Sequence, residues 1–346
     1  MRLTIQNNDQ AVSAVRHLLG FEPRESLVVV PVTGGGAPVA RLDLPKSAIE
    51  EREVTATLRE TYGAGRWGRP CILIVCYSAD PKSTDLFSRE LQRALEGVGI
   101  AVVRRLAAGE NSWIDFTAGT SGPRMAEAQN LIDAEAAFVG RPTPRNSRED
   151  LAAEFVGDPD LIAAAIPGAH VGRDQSTCEL ERRYCQAVVE QYQCSGERIQ
   201  LGDAARLLVN LEHDPELFLR LAGTIRTSNA LEWLPLWKDL TRHAPDEVRV
   251  APACLAALAA WCAGDGARAW SALDRLPEGM TANHPVAPIA HLLRESLRTA
   301  AHPRTWDKIC DQAMTTDRAS KTASPSRSPR PSRAPRPEGG RPGLAI

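Results

Sequence analysis

Arg41 and Asp43 stand two positions apart in Val39-Ala-Arg-Leu-Asp-Leu44, shortly after the β-branched run Ser26-Leu-Val-Val-Val-Pro-Val32. Successive side chains of a strand point to opposite faces. Ala40, Leu42 and Leu44 therefore share one face, and Arg41 and Asp43 share the other. Two readings of this charge pair stay open. One is an ion pair on the solvent side of an edge strand, worth less than about 1 kcal/mol. The other is a polar patch that binds an anionic or carbonyl ligand through Arg41. Arg41 and Asp43 are thus the ligand-binding candidates, and no residue is assigned a catalytic role.

Other reactive-looking patterns dissolve on their context. Gly63-Ala-Gly-Arg-Trp-Gly68 spells GxGxxG, but dinucleotide binding needs those glycines after a strand and at the start of a helix. Here they follow a helical segment and lead into the apolar run at Cys71, which reads as a loop. The eight cysteines include no CxxC pair. Cys178, Cys185 and Cys194 are spaced too widely for a typical zinc site and read as small buried hydrophobes, as do Cys254 and Cys262. His284 and His291 share a helical face, with no carboxylate at ligand spacing beyond Glu295. No metal and no cofactor are expected.

The elements that must position such residues follow from periodicity. Asn8-Asp9 is placed to cap a helix through Val12, Val15 and Leu19 that Gly20 stops. Ser26–Val32 and Pro38–Leu44 flank Gly34-Gly-Gly36 and read as a hairpin. A helix over 47–62, a strand over 71–77, a helix marked by Leu86, Leu91 and Leu95, and a strand over 100–106 come next. Trp113–Phe116 is a short fifth strand, and a helix is expected from Gly122 to Val139. Alternating helix and strand gives an α/β domain with a mixed sheet of four to five strands. It is placed at 1–146 with a trailing linker helix.

From the capping box Ser147-Arg-Glu-Asp150 onward only helical periodicity appears. An all-α domain is placed at 147–312. Trp233 and Trp237 lie on one helix face with Leu236 and Leu240 and read as core. The apolar run ending at Trp261, the break Gly264-Asp-Gly266 and the run through Trp270 describe two helices folded back on each other. This hairpin, 253–275, has the look of a single docking unit.

Charge is distributed unevenly. The chain of 346 residues carries a net −2, yet the stretch from Arg318 onward has seven basic residues against Glu338 alone. The tail, 313–346, is rich in Pro, Ser and Arg, has little to bury and is expected to be disordered. An acidic body argues against nucleic-acid binding by the folded part, leaving only weak contact through the tail. No run of about 18 apolar residues suggests a membrane span. Reduced thiols and a cytoplasmic location are expected.

Leu18-Leu-Gly-Phe-Glu-Pro-Arg-Glu-Ser-Leu-Val-Val-Val30 and Arg41-Leu-Asp-Leu-Pro45 resemble the paired opening motifs of an actinobacterial family, domain of unknown function 4192. Leu236-Trp-Lys-Asp-Leu-Thr-Arg242, Pro252-Ala-Cys-Leu-Ala256 and Ala260-Trp-Cys-Ala-Gly-Asp-Gly266 resemble its carboxy-terminal block. The likeness covers most of 10–306. Two departures stand out: a stretch usually rich in cysteine and proline is Asn111–Gly119 here, and a position usually occupied by histidine is Glu22. The resemblance implies a fold and brings no activity with it.

Three functional readings follow. The first is a non-enzymatic interaction or regulatory protein with an unidentified protein partner. The second is an enzyme or small-ligand sensor with a cleft on the sheet. The third is a nucleic-acid-associated factor acting through the tail.

Overall fold

The computed structural model describes residues 5–33, 36–63, 65, 67–277 and 284–322. Met1–Asp307 form one compact unit and Lys308–Ile346 a second. The first unit opens with α1 (Asn8–Leu19), β1 (Ser26–Pro31), β2 (Ala40–Asp43), α2 (Ala48–Gly63), β3 (Ile72–Tyr77), α3 (Asp85–Glu96), β4 (Val102–Ala108), β5 (Ser112–Asp115), β6 (Thr120–Pro123) and α4 (Ala126–Phe138).

These strands make one six-stranded sheet in the order β2-β1-β3-β4-β5-β6. β3 and β4 are parallel and the other neighbours antiparallel. The hairpin, the α/β alternation and the mixed sheet stand as read from sequence, with one more strand than expected. β3 is buried at all six positions. Leu73, Val75 and Tyr77 pack on one face with Val12, Val15 and Leu19 of α1. Ile72, Ile74 and Cys76 pack on the other with Leu58, Leu91 and Leu95 of α2 and α3. A strand covered on both faces needs apolar residues throughout, which CILIVCY supplies.

The extra strand, β6, is Thr-Ser-Gly-Pro and carries no apolar alternation to announce it. Its place is set by Trp113 of β5: a Cβ on Gly122 would lie 2.7 Å from the indole. Only glycine fits beneath that ring. The helix expected from Gly122 therefore starts at Ala126. At the front of the chain, α1 is capped by Asn7, whose side chain accepts from the Gln10 amide, rather than by Asn8 or Asp9.

The rear of the unit is helical: α5 (Arg148–Ala153), α6 (Asp160–Ala163), α7 (Ile166–Asp174), α8 (Cys178–Ser195), α9 (Leu201–His213), α10 (Pro215–Thr224), α11 (Ala230–His243), α12 (Val250–Cys262), α13 (Gly266–Leu273) and α14 (Ala287–Arg298), with α15 (Arg304–Thr322) beginning in it and belonging mostly to the second unit. Among the described residues no strand follows β6. Ser147 caps α5 by accepting from the Asp150 amide, as its motif predicts. At the α12–α13 turn, Gly264 takes a left-handed φ of 81°. The Asp265 amide reaches the Ala260 carbonyl and the Gly264 amide reaches Trp261, which closes the end of α12. Asp265 then caps α13 by accepting from Arg268.

α12 is buried at every position from Val250 to Cys262, so that helix of the 253–275 hairpin is core, while Gly266, Ala267 and Trp270 of α13 stay half-exposed. α15 runs to Thr322, beyond residue 313 where the tail was placed, while 323–346 lie outside the described residues.

Gly157, between α5 and α6, touches the carboxy end of α11. A Cβ there would meet the Arg242 carbonyl oxygen at 2.8 Å. Backbone does not yield as a flexible side chain does, so Gly157→Ala is expected to lower stability by about 1–3 kcal/mol. Urea unfolding checks this.

Candidate functional site

In α/β sheets, ligands gather outside the carboxyl ends of parallel strands. Here that region lies beyond Tyr77 and Ala108. The sequence fills it from three directions: the end of α1, the turn after Gly20, and the segment leaving β6.

Gly20 ends α1 with a left-handed φ of 79°. The chain is then clamped, because the Arg145 amide donates to the Gly20 carbonyl at 2.8 Å and the Glu22 amide to the Arg145 carbonyl at 2.9 Å. Glu22 is thereby held between two arginines. Arg16 Nη1 lies 3.6 Å from Glu22 Oε2, and Arg124 Nη2 lies 3.4 Å from Glu22 Oε1. Both distances exceed the roughly 2.7–2.9 Å of a tight charged hydrogen bond.

The two arginines differ in their remaining partners. Arg16 Nη2 binds Asp133 Oδ1 of α4 at 2.6 Å, and His17 Nε2 meets the same oxygen at 2.6 Å. Gln129 accepts from Arg16 Nη1 at 2.9 Å once its amide is turned oxygen-inward. Among the described residues the Arg124 side chain bonds the Gly109 carbonyl, 3.3 Å from Nη1, besides Glu22. Among the described residues Glu22 is the one carboxylate within ion-pair distance of Arg124.

Tyr77 underlies this group. Its hydroxyl donates to the Val12 carbonyl at 2.7 Å. Burial and then the charge of Glu22 push its phenol up, against a smaller pull from Arg124. Nearby, Asp9 accepts from the Met125 amide at 2.8 Å, while its other oxygen is buried with no partner. Glu25 has a positive φ of 39°, and its carboxylate accepts from the Ala79 amide at 2.7 Å. That bond ties the β1 turn to the loop after β3.

Arg41 and Asp43 lie elsewhere. β2 is the sheet edge, Arg41 pairs with Asp43 at 2.7 Å, and Asp43 is 80% exposed. Arg41 Nε also donates to Ser26 Oγ at 3.0 Å. The register Asp43↔Ser26↔Tyr77 puts the pair on the same face as Tyr77, two strand spacings or about 10 Å away. They belong to the rim of this end of the sheet and make no contact with the arginine group. Arg16, Glu22, Arg124 and Asp133 escape a reading by spacing because only the fold joins positions 117 residues apart. The local signal was Glu22 between Gly20 and Pro23, a charged residue in a stiff turn.

The helical half holds a second polar group, around a cleft of about 220 Å³ lined by Ser176, Cys178, Glu181, Asn210 and Asp214 among others. Glu181 is bonded by Arg206 and Asn210, and Asp214 by Arg182. Cys185 is buried, but Cys178 and Cys194 are exposed. The latter two sit toward the ends of α8, away from its buried positions Glu181, Cys185 and Val189, which corrects their reading as core.

A family model described as Domain of unknown function (DUF4192) matches residues 9–304. The chain belongs to that family. The match takes in the whole sheet, the Arg16–Glu22–Arg124 group and the α12–α13 turn of this DUF4192 chain. No curated protein and no solved structure shows a match. No helix among the described residues is long and apolar enough to cross a membrane.

Proposed function

We propose that this DUF4192 chain is a non-enzymatic regulatory protein of the cytoplasm that works by binding. The observation that supports it most is where burial and pairing send its ionisable groups. Burial pushes the thiols of Cys76, Cys185 and Cys254 up to about 12. Burial is the largest influence on Asp133, Glu154 and Asp214 and tends to raise them, yet the hydrogen bonds and charges around each, led by those of Arg16, Arg268 and Arg182, together outweigh it and leave all three low. Hydrogen bonds from Arg105 and Arg206 hold Asp85 and Glu181 down as well. Proton transfer in catalysis is best served by a group that titrates near the working pH. Groups driven to either extreme fix geometry instead.

A protein partner fits this reading, and with α12 inside the core it would meet the outer faces of other helices. The loosely held Glu22 between Arg16 and Arg124 favours a second form of it, a sensor for a small ligand at the carboxyl end of the sheet, with Arg41 and Asp43 at its rim. Contact with nucleic acid would fall to the basic tail. Incubated with chromogenic phosphate, carboxylate and glycoside esters, the full chain should give the uncatalysed rates. Turnover that falls on Glu22→Gln or Tyr77→Phe would overturn the binding reading.

A further inference from the structure

We propose that Arg16 and Arg124 form a seat for a small oxyanion, a phosphate or a carboxylate, and that Glu22 occupies this seat from within as an internal plug. Three observations converge on it. The two guanidiniums approach one point from different elements, α1 and the segment after β6, and Glu22 places one oxygen toward each. The pairs are long, at 3.6 and 3.4 Å, so the plug is held more loosely than a bidentate carboxylate–guanidinium pair.

Charge supplies the third. Asp133 neutralises Arg16, at 2.6 Å. Among the described carboxylates Glu22 alone pairs with Arg124, so withdrawing it leaves one positive charge uncompensated in a seat where both arginines are mostly buried, at 16% and 15% exposure. A partly buried charge without a partner is costly, and an incoming oxyanion relieves that cost. Arginine suits this task, because its planar fork presents paired N–H donors to carboxylate or phosphate oxygens.

The backbone limits how the plug moves. The Glu22 amide is fixed to Arg145, so release is a rotation of the side chain, which is 26% exposed and has solvent to turn into. A ligand therefore competes with Glu22 for Arg124 first and Arg16 second.

This seat presupposes that the group binds rather than reacts. Turnover would sink that reading whether or not an anion binds, whereas a missing anion response would leave it standing. The test is thermal unfolding of the full chain in inorganic phosphate, in acetate, and in chloride of matched ionic strength. Glu22→Ala and the shape-preserving Glu22→Gln should each gain an anion-dependent rise in Tm, with affinity at least about tenfold above wild type, a difference of about 1.4 kcal/mol. Adding Arg124→Ala to either should abolish the gain. A response to phosphate or to acetate supports the seat and tells which group it takes. No response in a folded Glu22→Gln protein, or an equal response without Arg124, overturns it.

Discussion

Glu154→Gln should lower the stability of this protein by about 3 kcal/mol at neutral pH and flatten the acid limb of its stability curve. The Glu154 side chain is only 6% exposed, yet it accepts from three cations. Arg145 Nε lies at 2.7 Å, Arg268 Nε and Nη2 at 3.1 and 3.2 Å, and Lys238 Nζ at 3.3 Å. Burial alone would raise its pKa. Hydrogen bonds from Arg268 and Arg145, with the charges of Arg268 and Lys238, reverse that and hold it at about 2.

Because the folded pKa lies below the ordinary 4.5, this contribution is fully present above that pH and fades as pH falls from 4.5 toward 2. The amide keeps the shape but loses the charge, leaving Arg268, 10% exposed, to Asp265. Urea unfolding at pH 7 and at several acid pH values checks both parts. Equal stability of wild type and variant at pH 7 would contradict the account. Glu154 matters because its partners come from the linker at Arg145, from α11 and from α13. It fastens the linker at Arg145, whose backbone bonds Gly20 and Glu22, to the helical rear within the Met1–Asp307 unit.

Trp237→Ala should cost about 3–5 kcal/mol, the range for removing a large buried aromatic side chain. Trp237 is fully buried in α11 and stacks on Trp233, with ring centroids 6.3 Å apart and planes 13° from parallel. α11 packs directly on α12, the helix with no exposed position, so the cavity opens where the surroundings have least room to collapse. Trp237→Phe serves as the control. The indole N–H is buried without a partner, so phenylalanine keeps most of the apolar contact and removes an unsatisfied donor. Its loss should be well under half that of alanine. Fluorescence-detected urea unfolding reads both, and an alanine variant within about 1 kcal/mol of wild type would remove Trp237 from the core.

The features legible in the sequence were those written in contiguous residues. CILIVCY announces a strand covered on both faces, and Gly264-Asp265 announces a helix end followed by a cap. α7 is hidden by Pro167, Gly168 and Gly172, poor helix formers. It forms because Ile166 and Ala169 are buried and the helix packs on α9. β6 is hidden because its decisive neighbour, Trp113, belongs to another strand. The same logic governs the site. Arg41 and Asp43 were visible because alternation is local, and they lie at the edge. Arg16, Glu22 and Arg124 became a group only once α1, the Gly20 turn and β6 had come together.

On this reading the arginine-paired acidic groups of this protein hold structure and do not exchange protons near neutrality. Carboxyl ¹³C NMR titration of the full chain measures this directly. Asp85, Asp133, Glu154, Asp214 and Glu181 should all titrate with midpoints below their ordinary values, Glu154 at about 2. A midpoint close to neutral pH at any of the five would instead mark a poised general acid or base, and would contradict the account.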